Sequence, residues 1–219
     1  MSDILTKNQI AVLTTVGGER FLAERFYLSG GTALAAFYLH HRYSEDLDFF
    51  SENEVPLLEL DVFIKKLKDT LSVTRVDFAQ SYNRNLFFLH FRDGEVLKTE
   101  FTYFPFPRIQ EGERAHGIIL DSVLDIAVNK VFTIYQRTAA RDYVDLYALC
   151  MHKGYSIQEL VGKARAKFDW HIDPLQLGTQ FIKAEEAEDY PRLIAPIARK
   201  EVTEFFKNEA QKLRPEILS

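Results

Sequence analysis

The chain has 219 residues, of which 47% are hydrophobic and 27% charged, and its formal net charge is −5 at pH 7. This apolar content is ample for a buried core, and charges of both signs mixed along the chain exclude a disordered polyelectrolyte. A negative balance argues against extensive nonspecific binding to duplex nucleic acid, which needs many lysines and arginines, but leaves room for a local basic pocket.

The sequence carries one cysteine, Cys150, within the apolar run LYALCMH. A single thiol cannot supply a disulfide framework or a zinc site, and apolar neighbours are typical of a buried thiol in a reducing compartment. The first residues lack a basic segment followed by an apolar one, and no stretch approaches about 18 uninterrupted apolar residues. We therefore expect a cytoplasmic protein with no membrane segment.

The first half of the chain alternates between helical and strand patterns. The predicted elements are a helix over 3–15, a strand over 26–28, a helix over 32–40, a strand over 46–50 and a helix over 56–70. Three β-rich stretches follow, at about 72–80, 85–92 and 95–104. The Asp93-Gly94 dipeptide between the last two predicts a hairpin, so these stretches extend the sheet in antiparallel fashion.

The second half of the chain reads as helical. Helices are predicted over 121–137, 141–152, 156–168 and 190–213, with Pro174 and Pro191 as breaks. No Pro/Gly/Ser linker separates the halves. The sequence therefore predicts an α/β (α+β) fold in two domains, a mixed-sheet core over residues 1–115 and a helical domain over 116–219.

The segment SGGTALAAFYLHHRYSEDLDFF, residues 29–50, indicates chemistry. Gly30 and Gly31 at a strand-to-helix turn let the backbone approach a ligand closely, and the free N–H groups of a helix start favour phosphate. Asp46 and Asp48 are two positions apart, so both carboxylates project from one strand face. Such a pair repels unless a cation lies between, and Mg2+ binds through one or two carboxylates plus substrate phosphates. The pattern indicates a phosphoryl- or nucleotidyl-transfer centre.

At these residues the sequence resembles the nucleotidyltransferase superfamily, and within it the AbiEii/AbiGii-type toxins of bacterial abortive-infection and toxin–antitoxin systems. The family pattern is a Gly-Gly turn, a helix, and Arg-x-Ser-x-Asp-x-Asp before an apolar residue. This chain shows it as Gly30-Gly31-Thr32 and Arg42-Tyr43-Ser44-Glu45-Asp46-Leu47-Asp48-Phe49. The resemblance implies that Asp46 and Asp48 ligate magnesium or manganese and that Gly30, Gly31 and Thr32 bind the nucleotide.

The superfamily usually adds a third metal-binding carboxylate on a neighbouring strand. Glu100 in VLKTEFTYF is the natural candidate, and alternation places Lys98 and Thr102 on the same strand face. Asp77 in VTRVDFA is the rival acid. An ordinary solvent-facing strand residue is the other interpretation of Glu100.

The resemblance continues through residues 125–149 of the helical half, where a helix lysine is followed by an arginine and by Arg-Asp-x-x-Asp-Leu. The matching residues are Lys130, Arg137, Arg141, Asp142, Asp145 and Leu146. The resemblance implies that Lys130 reaches the nucleotide phosphates, and Arg141 and Asp145 are candidate nucleotide-binding residues. Because Asp142 and Asp145 share one helix face, one is expected to orient the nucleophile or base while the other holds Arg141 or Lys130. A salt-bridged surface, or an N-cap for Asp142, is the alternative.

Four further residues before the aspartate pair have more than one interpretation. Arg42 contacts phosphate or locks its loop by pairing with an acid such as Asp145. Ser44 binds phosphate or caps the turn before the strand. His40 and His41, at a helix end, are expected to satisfy carbonyls or face solvent rather than ligate a metal.

The resemblance implies an enzyme that moves a nucleoside monophosphate from a nucleoside triphosphate to an acceptor hydroxyl, with the helical domain closing the nucleotide cleft. It also implies a toxin neutralised by a cognate antitoxin, with nucleotide, RNA such as tRNA, or protein as acceptor. The alternatives are a nucleotide-binding sensor without transfer activity and an interaction protein. The intact Asp46/Asp48 pair and Lys130 count against the interaction protein.

Overall fold

The computed structural model describes residues 4–217, apart from the side chain of Glu216. The chain forms two compact units, one comprising the residues up to Phe37 with Ser44–Ser122 and the other comprising Tyr38–Tyr43 with the residues from Val123 onward. The predicted ranges 1–115 and 116–219 include residues 1–3 and 218–219, which lie outside the described part of the chain. The mixed α/β architecture predicted from the sequence is confirmed.

The first unit, here called the α/β unit, contains helices packed with a mixed sheet. Its elements are α1 (Lys7–Gly18), α2 (Arg20–Arg25), β1 (Tyr27–Ser29), α3 (Gly30–Ala33), β2 (Leu47–Ser51), α4 (Leu57–Thr70), β3 (Arg75–Ser81), β4 (Arg84–His90), β5 (Val96–Tyr103), β6 (Arg114–Ala115) and β7 (Ile118–Leu120). After α3 the chain continues as a π-helical segment, Leu34–Leu39. The short elements α2, β6 and β7 were not predicted, because segments of two to six residues are too brief to show a periodicity.

The sheet has seven strands in the order β3-β4-β5-β2-β1-β7-β6. β2 pairs with β5 in parallel and with β1 in antiparallel fashion, so β2 is an interior strand. Its buried residues Leu47 and Phe49 alternate with the partly exposed Asp48 and Phe50. One face of β2 therefore contributes to the core, and the other presents Asp48.

The hairpin predicted at Asp93-Gly94 is confirmed, with a loop of three residues rather than two. The N–H of Phe91 donates to the carbonyl of Glu95 at 2.9 Å, and Gly94 has φ +89°. A glycine with positive φ at the end of such a loop is the usual way to close a three-residue hairpin. This loop sets the register of β4 against β5, in which Arg84 pairs with Thr102.

The second unit, here called the helical unit, is confirmed as predominantly helical. Its helices are α5 (Val123–Gln136), α6 (Ala140–Lys153), α7 (Ile157–Phe168), α8 (Pro174–Ile182), α9 (Arg199–Lys212) and α10 (Arg214–Ile217). None of the described helices is long and apolar enough to cross a membrane.

Two predictions for the last third of the chain were wrong. Pro174 begins α8 instead of breaking a helix, because Asp173 caps that helix by accepting a hydrogen bond from the Gln176 N–H at 2.8 Å. The helix predicted from residue 190 begins only at Arg199. The residues before it are not helical, and two of them pair with the segment that follows the π-helical turn: Leu193 forms an isolated antiparallel bridge with Arg42, and the N–H of Ile194 donates to the carbonyl of His41 at 2.8 Å.

We predict that Gly17→Ala destabilises the α/β unit by about 1–3 kcal/mol, whereas Gly18→Ala stays within about 1 kcal/mol of wild type. A Cβ at Gly17 would collide with the backbone of His116 and Gly117, while a Cβ at Gly18 would meet nothing within 4 Å. Urea unfolding of both variants measures the difference. Equal stability of the two variants would contradict this packing of α1.

Candidate active site

Asp46 and Asp48 lie at the start of β2, beside the Ser-Gly-Gly-Thr turn. Asp48 is the register partner of Ser29, the last residue of β1. Gly30 follows with φ +72°, and a Cβ built on it would lie 2.5 Å from Oδ2 of Asp48. The Thr32 hydroxyl donates to the backbone carbonyl of Asp46. The turn therefore holds the segment that carries both aspartates, and the missing side chain of Gly30 makes room for the Asp48 carboxylate.

Glu100 lies directly opposite Asp48 across the parallel β2–β5 pair. Its two carboxylate oxygens accept hydrogen bonds from Nε and Nη2 of Arg84, both at 2.6 Å, and Oε1 also accepts from the Thr102 hydroxyl at 2.7 Å. Burial acts to raise the pKa of Glu100, but the hydrogen bonds from Arg84 and Thr102 outweigh it and lower the pKa. Glu100 is therefore a buried, ionised carboxylate and not a solvent-facing strand residue.

Asp77, the rival third acid, lies elsewhere on the sheet. It is on the edge strand β3, with β4 between it and β5. Its carboxylate is engaged by Arg75 at 2.7 Å and by His90 at 2.8 Å. The sheet thus brings Glu100, rather than Asp77, beside Asp48.

Lys98 joins the acidic residues from the same face of β5. Its Nζ is 3.0 Å from Oδ2 of Asp46 and 3.5 Å from Oε2 of Glu100. Partial burial acts to lower the pKa of Lys98, but attraction by Asp48 and Asp46 outweighs it and raises the pKa. The ammonium group therefore stays charged and partly neutralises the acidic cluster.

The carboxylates suit a divalent cation in chemistry but not in their present arrangement. Among residues 4–217, no three His, Cys, Asp or Glu side chains form a group that could hold a metal ion. Glu100 is turned toward Arg84, and Asp46 toward Lys98. Oxygens of Asp46 and Glu100 nevertheless approach one cationic nitrogen within 3.5 Å. Two hard carboxylate ligands completed by substrate phosphates are a common way to bind Mg2+, so the residues fit that ion.

A second cluster lies within the helical unit, where Lys130 of α5 contacts two acids of α6. Its Nζ is 2.7 Å from Oδ1 of Asp142 and 2.6 Å from Oδ2 of Asp145. Burial acts to lower the pKa of Lys130, but attraction by Asp145 and Asp142 outweighs it and raises the pKa. The two acids therefore hold Lys130 in its charged form.

Asp145 is also the partner of the segment that precedes β2. Nε and Nη2 of Arg42 donate to its two oxygens at 2.6 and 2.9 Å, and Nε2 of His41 lies 2.8 Å from Oδ1. The pairing of Arg42 with Asp145, one of the two interpretations from the sequence, is confirmed. His41 is buried and contacts this carboxylate, whereas His40 is exposed.

The remaining predicted residues of α6 differ in their surroundings. Asp142 is not the N-cap, which is Ala139, and its carboxylate instead accepts from Lys130 and, at 3.1 Å, from Nη2 of Arg137. Arg141 is exposed. The acids of α6 thus hold Lys130, the second of the two residues named for that role.

Ser44 and two basic residues complete the account of the site. The Ser44 carbonyl accepts a hydrogen bond from the Gln9 side chain at 2.9 Å. Sequence reasoning noted Lys98 as a face neighbour of Glu100 without assigning it a role, and it missed Arg84. Alternation along β5 could have identified Lys98, but finding Arg84 requires the length of the hairpin loop.

Comparison with known proteins identifies the family of this chain. The sequence model of the family described as nucleotidyl transferase AbiEii toxin, type IV TA system, matches residues 12–215. The chain belongs to the AbiEii nucleotidyltransferase toxin family. An uncharacterized protein of Aquifex aeolicus (strain VF5) is 34% identical to this AbiEii-family chain over 190 residues, covering 85% of the chain and 86% of the relative. The resemblance inferred from the sequence motifs is confirmed.

Solved structures share the fold of this AbiEii-family protein. JHP933 from Helicobacter pylori superposes with a TM-score of 0.62 at 18% identity, covering 99% of this chain and 94% of that one. MenT4, a nucleotidyltransferase toxin of Mycobacterium tuberculosis H37Rv, superposes with a TM-score of 0.52 at 18% identity, covering 94% of this chain and 84% of that one. At this level of identity the likeness establishes the fold.

We predict that Gly30→Ala costs more stability than Gly94→Ala. Both glycines have positive φ, so each substitution carries a backbone cost of about 1–2 kcal/mol, but only the Cβ at Gly30 would press on a carboxylate oxygen, that of Asp48. Urea denaturation of both variants measures the difference. Gly94 is the matched control because a Cβ there would meet nothing within 4 Å. A smaller loss for Gly30→Ala than for Gly94→Ala would contradict the contact.

We predict that Asp145→Asn destabilises the protein by about 3–5 kcal/mol near neutral pH, because it removes a buried negative charge that Arg42 and Lys130 both contact. Burial acts to raise the pKa of Asp145, but Lys130 and Arg42 outweigh it and hold the pKa well below 3.8. The contribution of a lowered pKa is complete above the unfolded value and is lost as the pH falls through the folded one.

The gap in stability between wild type and Asp145→Asn should therefore be constant above about pH 4 and should narrow only in more acidic solution. Denaturant unfolding at a series of pH values measures this gap. A gap that narrows between pH 8 and pH 5 would contradict the prediction.

Proposed function

We propose that this AbiEii-family chain is a metal-dependent nucleotidyltransferase that transfers a nucleoside monophosphate from a nucleoside triphosphate to an acceptor hydroxyl. The observation that carries the proposal is the position of Asp48. Its carboxylate lies against the bare backbone of Gly30 and directly opposite Glu100 on the neighbouring strand. A carboxylate pair beside a glycine turn is suited to hold a cation against a phosphate group.

The reaction forms one P–O bond and breaks another. The acceptor hydroxyl oxygen attacks the α-phosphorus of the triphosphate, the bond from that phosphorus to the bridging oxygen breaks, and pyrophosphate leaves with the electron pair, while the hydroxyl proton passes to water. Positioning and charge neutralisation supply most of the catalysis in such transfers.

Asp46, Asp48 and Glu100 are the residues we assign to Mg2+ or Mn2+. When bound, the ion neutralises developing charge on the attacking and leaving oxygens. Glu100 is a poor candidate for a general base, because Arg84 and Thr102 stabilise its ionised form. Arg84 is instead a positioning residue, since its bidentate contact fixes the orientation of the Glu100 carboxylate.

Gly30, Gly31 and Thr32 are assigned to the triphosphate. The absence of a side chain at Gly30 allows a phosphate to approach the backbone, and Thr32 ties this turn to the carbonyl of Asp46. Asp142 and Asp145 are assigned to holding Lys130 and Arg42 in place, because both carboxylates are occupied by those cations. Contact of Lys130 with nucleotide phosphates stays a prediction, as do nucleotide contacts of Ser44 and Arg141.

The partners follow from the family and from the reaction. The family belongs to type IV toxin–antitoxin systems, so we propose a cognate antitoxin as a partner. The acceptor is proposed to be a hydroxyl of RNA, such as tRNA, or of protein. The net charge of −5 does not oppose RNA, because a few local basic residues suffice for one acceptor end.

We predict that the wild-type protein, incubated with Mg2+ and a cell extract, transfers label from an α-phosphate-labelled triphosphate but not from a γ-labelled one. Each of the four triphosphates is tested separately. Asp48→Asn should lower the transfer rate about 100-fold or more, because it removes a negative charge that would hold the divalent ion beside the reacting phosphate. Nuclease and protease digestion of the labelled product distinguish RNA from protein acceptors.

Asp61→Asn is the matched control, since Asp61 is an exposed aspartate of α4 in the same unit and pairs with Lys65. It should label the acceptor as wild type does. Equal transfer by Asp48→Asn and wild type, with both folded by circular dichroism, would remove Asp48 from the mechanism. Absence of transfer from every triphosphate would refute the proposed activity under these conditions.

A further inference from the structure

Lys98 lies between Asp46 and Glu100, two of the carboxylates that the proposed function assigns to a metal ion. Its ammonium nitrogen is 3.0 Å from Asp46 and 3.5 Å from Glu100, and Asp48 contributes the largest attraction to its charge. All three predicted metal ligands thus act on a single cationic nitrogen. An ammonium group and a divalent cation compete for the same carboxylate oxygens, because each is stabilised by their negative charge.

The two cations of this cluster are held differently. Arg84 forms two short hydrogen bonds with Glu100, both 2.6 Å long, in a planar bidentate geometry. Lys98 makes longer contacts to two different carboxylates at the end of a flexible stem. Of the two cations, Lys98 is the one whose contacts are more easily exchanged, whereas Arg84 orients Glu100.

The net charge of the cluster explains why a metal ion would displace Lys98. Three carboxylates faced by Lys98 and Arg84 retain one net negative charge, which a divalent cation would reverse. If Lys98 moves away from Asp46 and Glu100 as a metal ion binds, the two carboxylate oxygens that it contacted can bind the ion instead. If Lys98 stays, cation and ammonium repel at short distance.

We propose that Lys98 is a placeholder cation, which neutralises Asp46 and Glu100 in the metal-free protein and leaves these carboxylates when the divalent ion binds. This rests on the proposed function, because it assumes that Asp46, Asp48 and Glu100 bind the metal. The proposed role of Lys98 also implies that the nucleotide-free protein binds metal weakly, since the ion must displace an ammonium group. Coupling of metal binding to the movement of Lys98 is then part of substrate loading.

The test measures binding of Mn2+ to the full-length protein without nucleotide, by the electron paramagnetic resonance signal of the free ion. Lys98→Met should lower the dissociation constant about tenfold, because an adjacent charge changes the affinity of a carboxylate for a proton by about 1–3 pKa units and should act similarly on a metal ion. Lys98→Arg keeps the charge and should bind within about threefold of wild type.

Lys65→Met is the matched control, because Lys65 pairs with an aspartate on α4 and its loss changes the net charge equally. It should leave the dissociation constant unchanged. Lys98→Gln serves as a second neutral variant should the methionine substitution impair folding, which circular dichroism reports. Tighter binding by a folded neutral variant, together with wild-type-like binding by Lys98→Arg, supports the placeholder.

Equal or weaker binding by the neutral variants overturns the placeholder. In that case the proposed metal site would still stand, provided that wild type binds Mn2+ and Asp46→Asn does not. Absence of Mn2+ binding by both wild type and the neutral Lys98 variants overturns the placeholder and the metal dependence together.

Discussion

Two carboxylates meet on neighbouring strands of the α/β unit, where Asp48 of β2 is the direct partner of Glu100 on β5. Like charges opposite each other in a sheet destabilise it unless cations compensate them. The surroundings of the pair follow from that requirement: Arg84 clamps Glu100, Lys98 lies between Glu100 and Asp46, and Gly30 makes room for the Asp48 carboxylate. This pair of carboxylates is the basis of the proposed metal site.

The helical unit also pairs opposite charges, and there the charged groups are buried. Asp145 and Lys130 are both buried, and each would be costly without its partner. Arg42, His41 and Lys130 share the Asp145 carboxylate, while Asp142 binds Lys130 and Arg137. Removal of Asp145 would take from Arg42 and Lys130 a carboxylate that both contact, so these residues are energetically coupled. The motif residues of the helical unit therefore stabilise the fold, whether or not they also take part in catalysis.

Predictions from sequence were most successful where one signal was long or strongly patterned. Three helices of the second half, α5, α6 and α7, and the strands around Asp48 and Glu100 were predicted within a few residues. α8 and α10 were not predicted, and α9 begins later than predicted. The prolines were harder to interpret, because Pro174 fits a helix start and a helix break equally well until Asp173 is seen to cap α8. For Arg42, two interpretations were open in the sequence, and only the contact with Asp145 decided between them.

The sequence alone determined the family and the mixed α/β fold, and it gave the hypothesis that Asp46 and Asp48 bind a metal, because these depend on local spacing: two aspartates on alternate strand positions and a glycine turn before a helix. Tertiary structure decided which groups surround them. The register of the β4–β5 hairpin, set by a three-residue loop, places Arg84 beside Glu100. The parallel pairing of β2 with β5 places Glu100, and not Asp77, opposite Asp48. Such partners come from strands distant in the chain, so no local pattern encodes them; their positions depend on the packing of the whole sheet.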